Sequence, residues 1–393
     1  MYGAIKMKRL TLLFLLVCAS AITLAQTTPT PLSSFRIYHP NGQPATLADI
    51  VQAMREVEVV LIGEQHDDPT AHVLQATLLQ LAYERYGKGL SQLSAEKLAE
   101  LQALAAAPVA KTNNTFDAIA ALVEAEAKRA ELAALAAEHK PRPVVLAVEM
   151  FERDAQLALD EYLSGLIAEK NFREAARAWK NYESDYRPLV EFARTHGLAV
   201  VASNAPRRYV NRVSRFGPDA LAALPTEAKR YLPPLPYATA TAAYADKFRG
   251  VMNRPGAAAI TLSGKEEEER KQRSARTLAA QSLWDATMAH SIAQSLQRQP
   301  DALVLHVNGR FHSEERMGIS EHLARYRPNA RTLIVTIISA PEAADKWMNF
   351  DAAKYGRHGD FVILTDPQIP RTYQAEESPR PKATASVEDT KHQ

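Results

Sequence analysis

Glu64, His66, Glu149 and His312 are the residues from which chemistry can be built. Glu64 and His66 lie in Val59-Val60-Leu61-Ile62-Gly63-Glu64-Gln65-His66-Asp67-Asp68-Pro69, directly after an apolar run. Glu149 ends a second such run that starts at Pro143, and His312 follows a third, Ala302 to Val307. Two imidazoles and a carboxylate are a sensible set for a divalent metal such as Zn²⁺, Mn²⁺ or Fe²⁺. His66, Glu149 and His312 are therefore candidate metal ligands. Glu64 is the candidate catalytic base, placed to deprotonate a metal-bound water or to hold a ligand histidine. No compact H-E-x-x-H exists, so the ligands have to be gathered from separate strands.

Other residues suit a haem pocket. Haem iron accepts Tyr or His axially, and propionates call for Arg, Lys or His. Trp179 to Tyr186 and then Arg207-Arg208-Tyr209 provide these groups, as does Tyr231-Leu-Pro-Pro-Leu-Pro-Tyr237. His306 reads as a satisfied core histidine, and Met288 as core on an apolar helical stripe.

The elements that must position these groups are legible as a pattern. Val59 to Ile62 reads as a buried strand, released by Gly63, with Asp68-Pro69 capping a helix continued by Leu74, Leu78 and Leu81. Further strands are expected at Phe35–Tyr38, 143–149, 198–202, 302–307 and 333–338, with an edge strand at 361–364. A helix through Leu189 and Phe192 stops at Gly197, and another carries Trp284, Met288, Ile292 and Leu296. Strand–helix alternation predicts an α/β fold, a mainly parallel central sheet flanked by helices with right-handed crossovers. In such a sheet the turns after the strands share one rim. That rim would collect Glu64, His66, Glu149, Asn204, Arg207, Arg208, Tyr209, Asn308 and His312.

Organisation along the chain follows from composition. The 393 residues are 46% hydrophobic, enough for a full core. Residues 1–25 have a positive start (Lys6, Lys8, Arg9), an apolar centre and a small-residue cleavage site, the pattern of a secretory signal. Without those three cations the body carries 44 basic against 45 acidic residues, a near-neutral balance that does not suggest a nucleic-acid partner, which would need a sizeable basic face. Cys18, the single cysteine, excludes an intrachain disulfide, and Leu15-Leu16-Val17 lacks the small residue a lipoprotein signal places before it. Residues 26–34 form a polar leader, 35–369 the α/β domain, and about 90–140 an Ala-rich helical insertion that covers the site or serves a partner. Residues 370–393 are a Pro-rich charged tail expected to be disordered. The run Lys265 to Lys271 reads as a solvated face. Neither G-x-S-x-G, P-loop nor G-x-G-x-x-G occurs, so serine hydrolase and nucleotide chemistry have no support.

Six motifs together resemble the ChaN-like haem-binding uptake family. They are Ile62-Gly-Glu-Gln-His-Asp, Ala147-Val-Glu-Met-Phe, Asp185-Tyr-Arg-Pro-Leu-Val-Glu-Phe-Ala193, Ala202-Ser-Asn-Ala-Pro-Arg-Arg208, Gln281-Ser-Leu-Trp-Asp-Ala-Thr-Met288 and His306-Val-Asn-Gly-Arg-Phe-His312. They run in the right order from about 35 to 340. The wider superfamily includes Tiki proteases, TraB-like proteins and erythromycin esterases. Its paired G-x-x-H is matched by Gly63 to His66 and Gly309 to His312, with an acid at Glu149. The resemblance implies an exported, periplasmic or envelope-associated protein of haem or iron uptake, often lipidated and able to dimerise around stacked haems. It also implies an envelope or outer-membrane uptake partner, a tyrosine on iron and a histidine near the propionates. Tyr186 and Tyr209 are then the candidate iron ligands, with Arg207, Arg208 and His66 holding propionates. The alternative it leaves open is a metal-dependent ester or peptide hydrolase.

Overall fold

Val59–Glu64, without an exposed residue, runs through the middle of the sheet. The computed structural model describes residues 34–88, 141–252, 264–340 and 350–372. The chain divides into residues 1–31 and Leu32–Gln393, and everything described belongs to the second unit. The signal pattern, Cys18, nearly all of the polar leader and the 90–140 insertion fall outside the described residues.

Eight strands make one sheet: β1 (Phe35–Tyr38), β2 (Pro44–Ala45), β3 (Val59–Glu64), β4 (Val144–Glu152), β5 (Ala199–Asn204), β6 (Leu303–Gly309), β7 (Thr332–Ser339) and β8 (Phe361–Thr365). Their order is β2-β1-β8-β7-β3-β6-β4-β5. Every pair from β8 to β5 is parallel, and only β1 runs antiparallel to its neighbours. This is the expected α/β architecture. The 361–364 strand, expected at an edge, is instead interior, because β1 pairs along its free side. The two-residue β2 was not legible as a strand. It ends the sheet with almost no open backbone.

Each β3 side chain is committed to one face. Val60 and Ile62 join the cluster containing Leu78, Val148 and Val190, whereas Val59 and Leu61 join Met288, Ile292 and Leu296. The first layer includes helix Pro69–Ala82, and the second the 35-residue helix Gly264–Arg298. Burying one such aliphatic side chain contributes about 2 kcal/mol, so both layers hold β3 firmly. The 69–82 helix starts as its residues dictate: the Asp68 carboxylate accepts from the Thr70 and Ala71 amides, and Pro69 opens the first turn. Leu74 and Leu78 are buried, but so are His72 and Gln75. Among the described residues no helix is long and apolar enough to cross a membrane.

The order β3-β6-β4-β5 sets four carboxyl ends side by side. Glu64 is level with Gly309, and the β4–β5 register shifts between Val148 and Glu152. That irregularity contains Glu149, and a bulge at such a place re-aims side chains. The charged tail begins against this rim. Arg371 lies 3.7 Å from both Asp67 and Asp68, while the Thr372 hydroxyl donates to Asp185. Residues beyond 372 are outside the described set.

Candidate functional site

Glu64 is almost fully buried, yet it is ionised. Its Oε1 accepts from the Tyr186 hydroxyl at 2.7 Å and faces His66 Nδ1 at 3.0 Å. Its Oε2 accepts from Gln75 Nε2 at 2.6 Å and faces His72 Nδ1 at 3.0 Å. Burial alone would raise this carboxyl, but His72 and His66 outweigh it and hold the pKa at about 2. His72 Nε2 lies 3.3 Å from Asp185 and 3.2 Å from the His66 carbonyl. Although burial opposes its charge, Glu64 and Asp185 raise His72 to about 10. An imidazolium thus sits between two carboxylates, and Asn181 donates to both Asp185 and the His66 carbonyl. The loop that carries His66 is fixed from behind.

His66 is the exposed end of this network, with 42% of its side chain accessible. Its ring meets Trp179 edge-on at 4.9 Å. Burial pulls its pKa down, but the bond to Glu64 and the charge of Glu149 leave it raised. Nε2 has no hydrogen-bond partner among the described residues.

The second G-x-x-H turn repeats the device. His312 Nδ1 faces Asp285 Oδ1 at 2.6 Å, and Asp285 in turn accepts from Tyr244 at 2.6 Å. His312 Nε2 lies 3.5 Å from Glu149 Oε1, and Glu149 Oε2 accepts from the Gly309 amide at 2.7 Å. Burial opposes protonation of His312, but Glu149 and Asp285 raise it to about 9. Gly309 is the hinge of the arrangement. A Cβ there would stand 2.9 Å from His66 Nε2 and 3.6 Å from Glu149 Oε2, so imidazole and carboxylate flank one point. Each of the two imidazoles carries a buried carboxylate on Nδ1, and Glu149 lies between them.

His66, Glu149 and His312 line one cavity of about 240 Å³ with Trp179, Asn204, Arg207 and Trp284. It adjoins a larger cleft of about 830 Å³, which shares His66, Met150, Trp179 and Arg207 and adds Ala176, Ala178, Arg177, Lys180 and Arg208. The Arg177 and Arg208 guanidiniums are spent on Asp154, and Arg177 also on Glu152. Arg207 is exposed and has no ion-pair partner among the described residues.

Neither candidate tyrosine lines these cavities. Tyr186 is inaccessible, donates to Glu64, and has its ionisation pushed far up by burial and that carboxylate. Tyr209 lies under Arg208 at 4.5 Å and packs on the cluster of Ala205, Val210 and Leu283. Tyr237 is likewise turned inward, donating to the Ala279 carbonyl. His306 is buried and bonded on both nitrogens, to Ser203 and Asn308, and burial lowers it to about 4, the neutral core histidine its pattern predicts. Met288 is fully buried.

Sequence reasoning gave no role to His72, Gln75, Asp185, Tyr244 or Asp285. Asp185 and Asp285 lie inside quoted motifs, and His72 and Gln75 are polar residues on an otherwise apolar helical stripe. That interruption was the available signal.

A parallel α/β sheet with two strand-end histidines, each backed by an acid and facing a shared glutamate, defines the class of protein. The chain belongs to the family of haem-binding uptake proteins of the Tiki superfamily, ChaN, whose model matches residues 123–323. A structure titled "Cofacial heme binding to ChaN of Campylobacter jejuni" has this fold, with a TM-score of 0.51 and 14% identity, over 85% of this chain and 97% of that one. A succinoglycan biosynthesis protein aligns more loosely, with a TM-score of 0.39 and 10% identity over 84% and 92% of the two chains. An erythromycin esterase mutant in its open conformation aligns with a TM-score of 0.35 and 10% identity over 78% and 77%. Scores this low carry no weight. No curated protein sequence matches the chain.

Proposed function

We propose that this chain is an exported haem-binding protein serving iron uptake, with haem held in the cleft beside His66. The observation that carries the reading is the cleft itself. About 830 Å³ lies within the 300–1,000 Å³ typical of small-molecule and cofactor sites. Met150, Ala176, Ala178 and Trp179 offer an apolar wall, and Arg207 stands at the edge with an unspent guanidinium, suited to a propionate. An imidazole for iron is within the same cleft. The residues present therefore fit the group. Export rests on the signal pattern of residues 1–25. A homodimer around stacked haems and an envelope partner are part of the same proposal; the cofacial binding named for the Campylobacter protein supports stacked haems.

The test is a hemin titration followed by the Soret band. A saturable shift is expected, weakened about 10–100-fold in Arg207→Ala, since a charge-assisted hydrogen bond is worth about 1.5–3 kcal/mol. A flat titration of the folded wild-type protein contradicts the reading.

A second reading has its own support. Ligating histidines ordinarily donate their other ring nitrogen to a carboxylate, and both His66 and His312 have one there. With Glu149 between them they would hold a divalent cation for ester or peptide hydrolysis, Glu64 bracing His66, once the three drew closer: among the described residues only Glu314, Glu315 and His358 already bring three such ligand atoms within 4.8 Å. Stoichiometric Zn²⁺ or Mn²⁺ by elemental analysis, with chelator-sensitive hydrolysis, would favour it over haem holding.

A further inference from the structure

We propose that Thr372, supported by Arg371, is a positioning residue of the candidate site: residues 366–372 act as a strap that fixes the turn carrying His66. The inference rests on the haem reading and deepens it, because His66 and Asp67 of that turn both line the large cleft. The turn Gln65-His66-Asp67-Asp68 is short and polar, and every one of its residues is gripped from outside. The His66 carbonyl accepts from Asn181 at 3.0 Å and faces His72 Nε2 at 3.2 Å. Gln65 Oε1 accepts from the Ser339 amide at 3.0 Å, and the Asp68 carboxylate accepts from Thr365 at 2.5 Å. Ser339 and Thr365 are the last residues of β7 and β8, so the sheet itself holds these two. The Asp67 carbonyl is held differently. It accepts from the Thr372 amide at 3.1 Å, and Thr372 lies outside any strand or helix.

Thr372 ties both sides of the turn together. While its amide holds Asp67, its hydroxyl donates to Asp185 Oδ2 at 2.7 Å, the oxygen that also accepts from Asn181 and faces His72. Asp185 braces His72, His72 braces Glu64, and Glu64 orients His66. A hydrogen bond onto an ionised carboxylate is stronger than one between neutral groups, and Asp185 is buried. The strap is itself anchored. The Asp366 amide donates to the Ser34 carbonyl at 3.0 Å and the Gln368 amide to the Asp366 carboxylate at 2.9 Å. Pro367 and Pro370 limit its backbone, which reduces the entropy lost on docking. Arg371 donates to the Ser339 hydroxyl and lies 3.7 Å from both Asp67 and Asp68. Its pair with the half-open Asp67 contributes little, whereas Asp68 is buried and gains more from the charge. Segments with few supports open locally without global unfolding, so loosening the strap should free the turn and leave the sheet intact.

The experiment compares the full-length wild type with Thr372→Val, Thr372→Ser and Arg371→Ala, by hydrogen exchange over residues 65–71, by urea midpoint and by hemin titration. In Thr372→Val the Asp68, Thr70 and Ala71 amides should exchange about tenfold faster. The β3 and β6 amides and the urea midpoint should stay as in the wild type, while hemin affinity falls about three- to tenfold. Thr372→Ser keeps the hydroxyl and should restore both exchange and affinity. Arg371→Ala should shift both in the same direction as Thr372→Val, with a difference from wild type that shrinks as salt is raised. Exchange unchanged in Thr372→Val overturns the inference and leaves haem binding untouched. Faster exchange with unchanged hemin affinity also overturns it, since the strap would then serve the fold alone. A wild type that binds no hemin ends the haem reading and the role given to the strap with it, a result that the exchange data keep separate from failure of the strap contacts.

Discussion

His72→Ala is expected to lose about 3–5 kcal/mol of folding stability, read as a lower urea midpoint at unchanged slope. His72 lines neither the small cavity nor the large cleft and is 4% exposed. It is the cation between Glu64 and Asp185, at 3.0 and 3.3 Å. Removing it leaves two buried carboxylates facing each other with their countercharge gone, and uncompensated buried charge is among the costliest defects. The pH dependence carries a definite sign. His72 is raised from 6.5 to about 10, so its contribution is complete below pH 6.5 and is lost as pH rises through 10. Glu64 is lowered from 4.5 to about 2, so its contribution is complete above pH 4.5 and is lost as pH falls through 2. The two shifts describe one interaction from its two ends and are not summed. The wild type should therefore be most stable between pH 4.5 and 6.5 as far as this network is concerned, and His72→Ala should lose the alkaline slope. An unchanged midpoint in the variant would show that the network carries little stability.

Gly309→Ala is expected to separate binding from folding. The residue has φ −58° and ψ 133°, which alanine adopts without strain. The added methyl would meet only side-chain atoms at close range, His66 Cε1 and Nε2 at 2.9 Å. A half-exposed imidazole can turn away, so the urea midpoint should move by no more than about 1 kcal/mol. The cost falls on the site, where displacing a ligand from its carboxylate should reduce hemin affinity about 10–100-fold. Gly63→Ala is the contrasting case. Its Cβ would meet the Arg310 Cα at 2.8 Å, which is backbone and cannot turn aside. There the penalty should appear as about 1–3 kcal/mol of stability. Equal effects of the two substitutions on the urea midpoint would contradict this division.

The rim could be read in the sequence because parallel strands announce themselves twice. Continuous runs such as Val144 to Val148 are apolar through both faces, and whatever follows them lies at the carboxyl end. Glu64, His66, Glu149 and His312 are placed by that rule alone. What stands behind them is set by helix rotation and by packing between segments distant in the chain. Asp185 reaches His72 and Asp285 reaches His312 from helical or near-helical segments whose facing stripe a single sequence does not fix. The tyrosines illustrate the same limit. Composition offers several phenols to iron, and only burial distinguishes Tyr186, which serves Glu64, from a side chain that faces the cleft. The position of β8 inside the sheet was hidden for a related reason. β1 lies far earlier in the chain and closes that edge antiparallel, which no local pattern near residue 361 records.

The most direct measurement is anomalous diffraction at the iron edge from crystals grown with hemin. The expected result is an iron peak inside the cleft beside His66, with porphyrin density against Trp179 and towards Arg207. Haem bound outside that cleft, or a porphyrin-free metal held by His66, Glu149 and His312 together, would contradict the account.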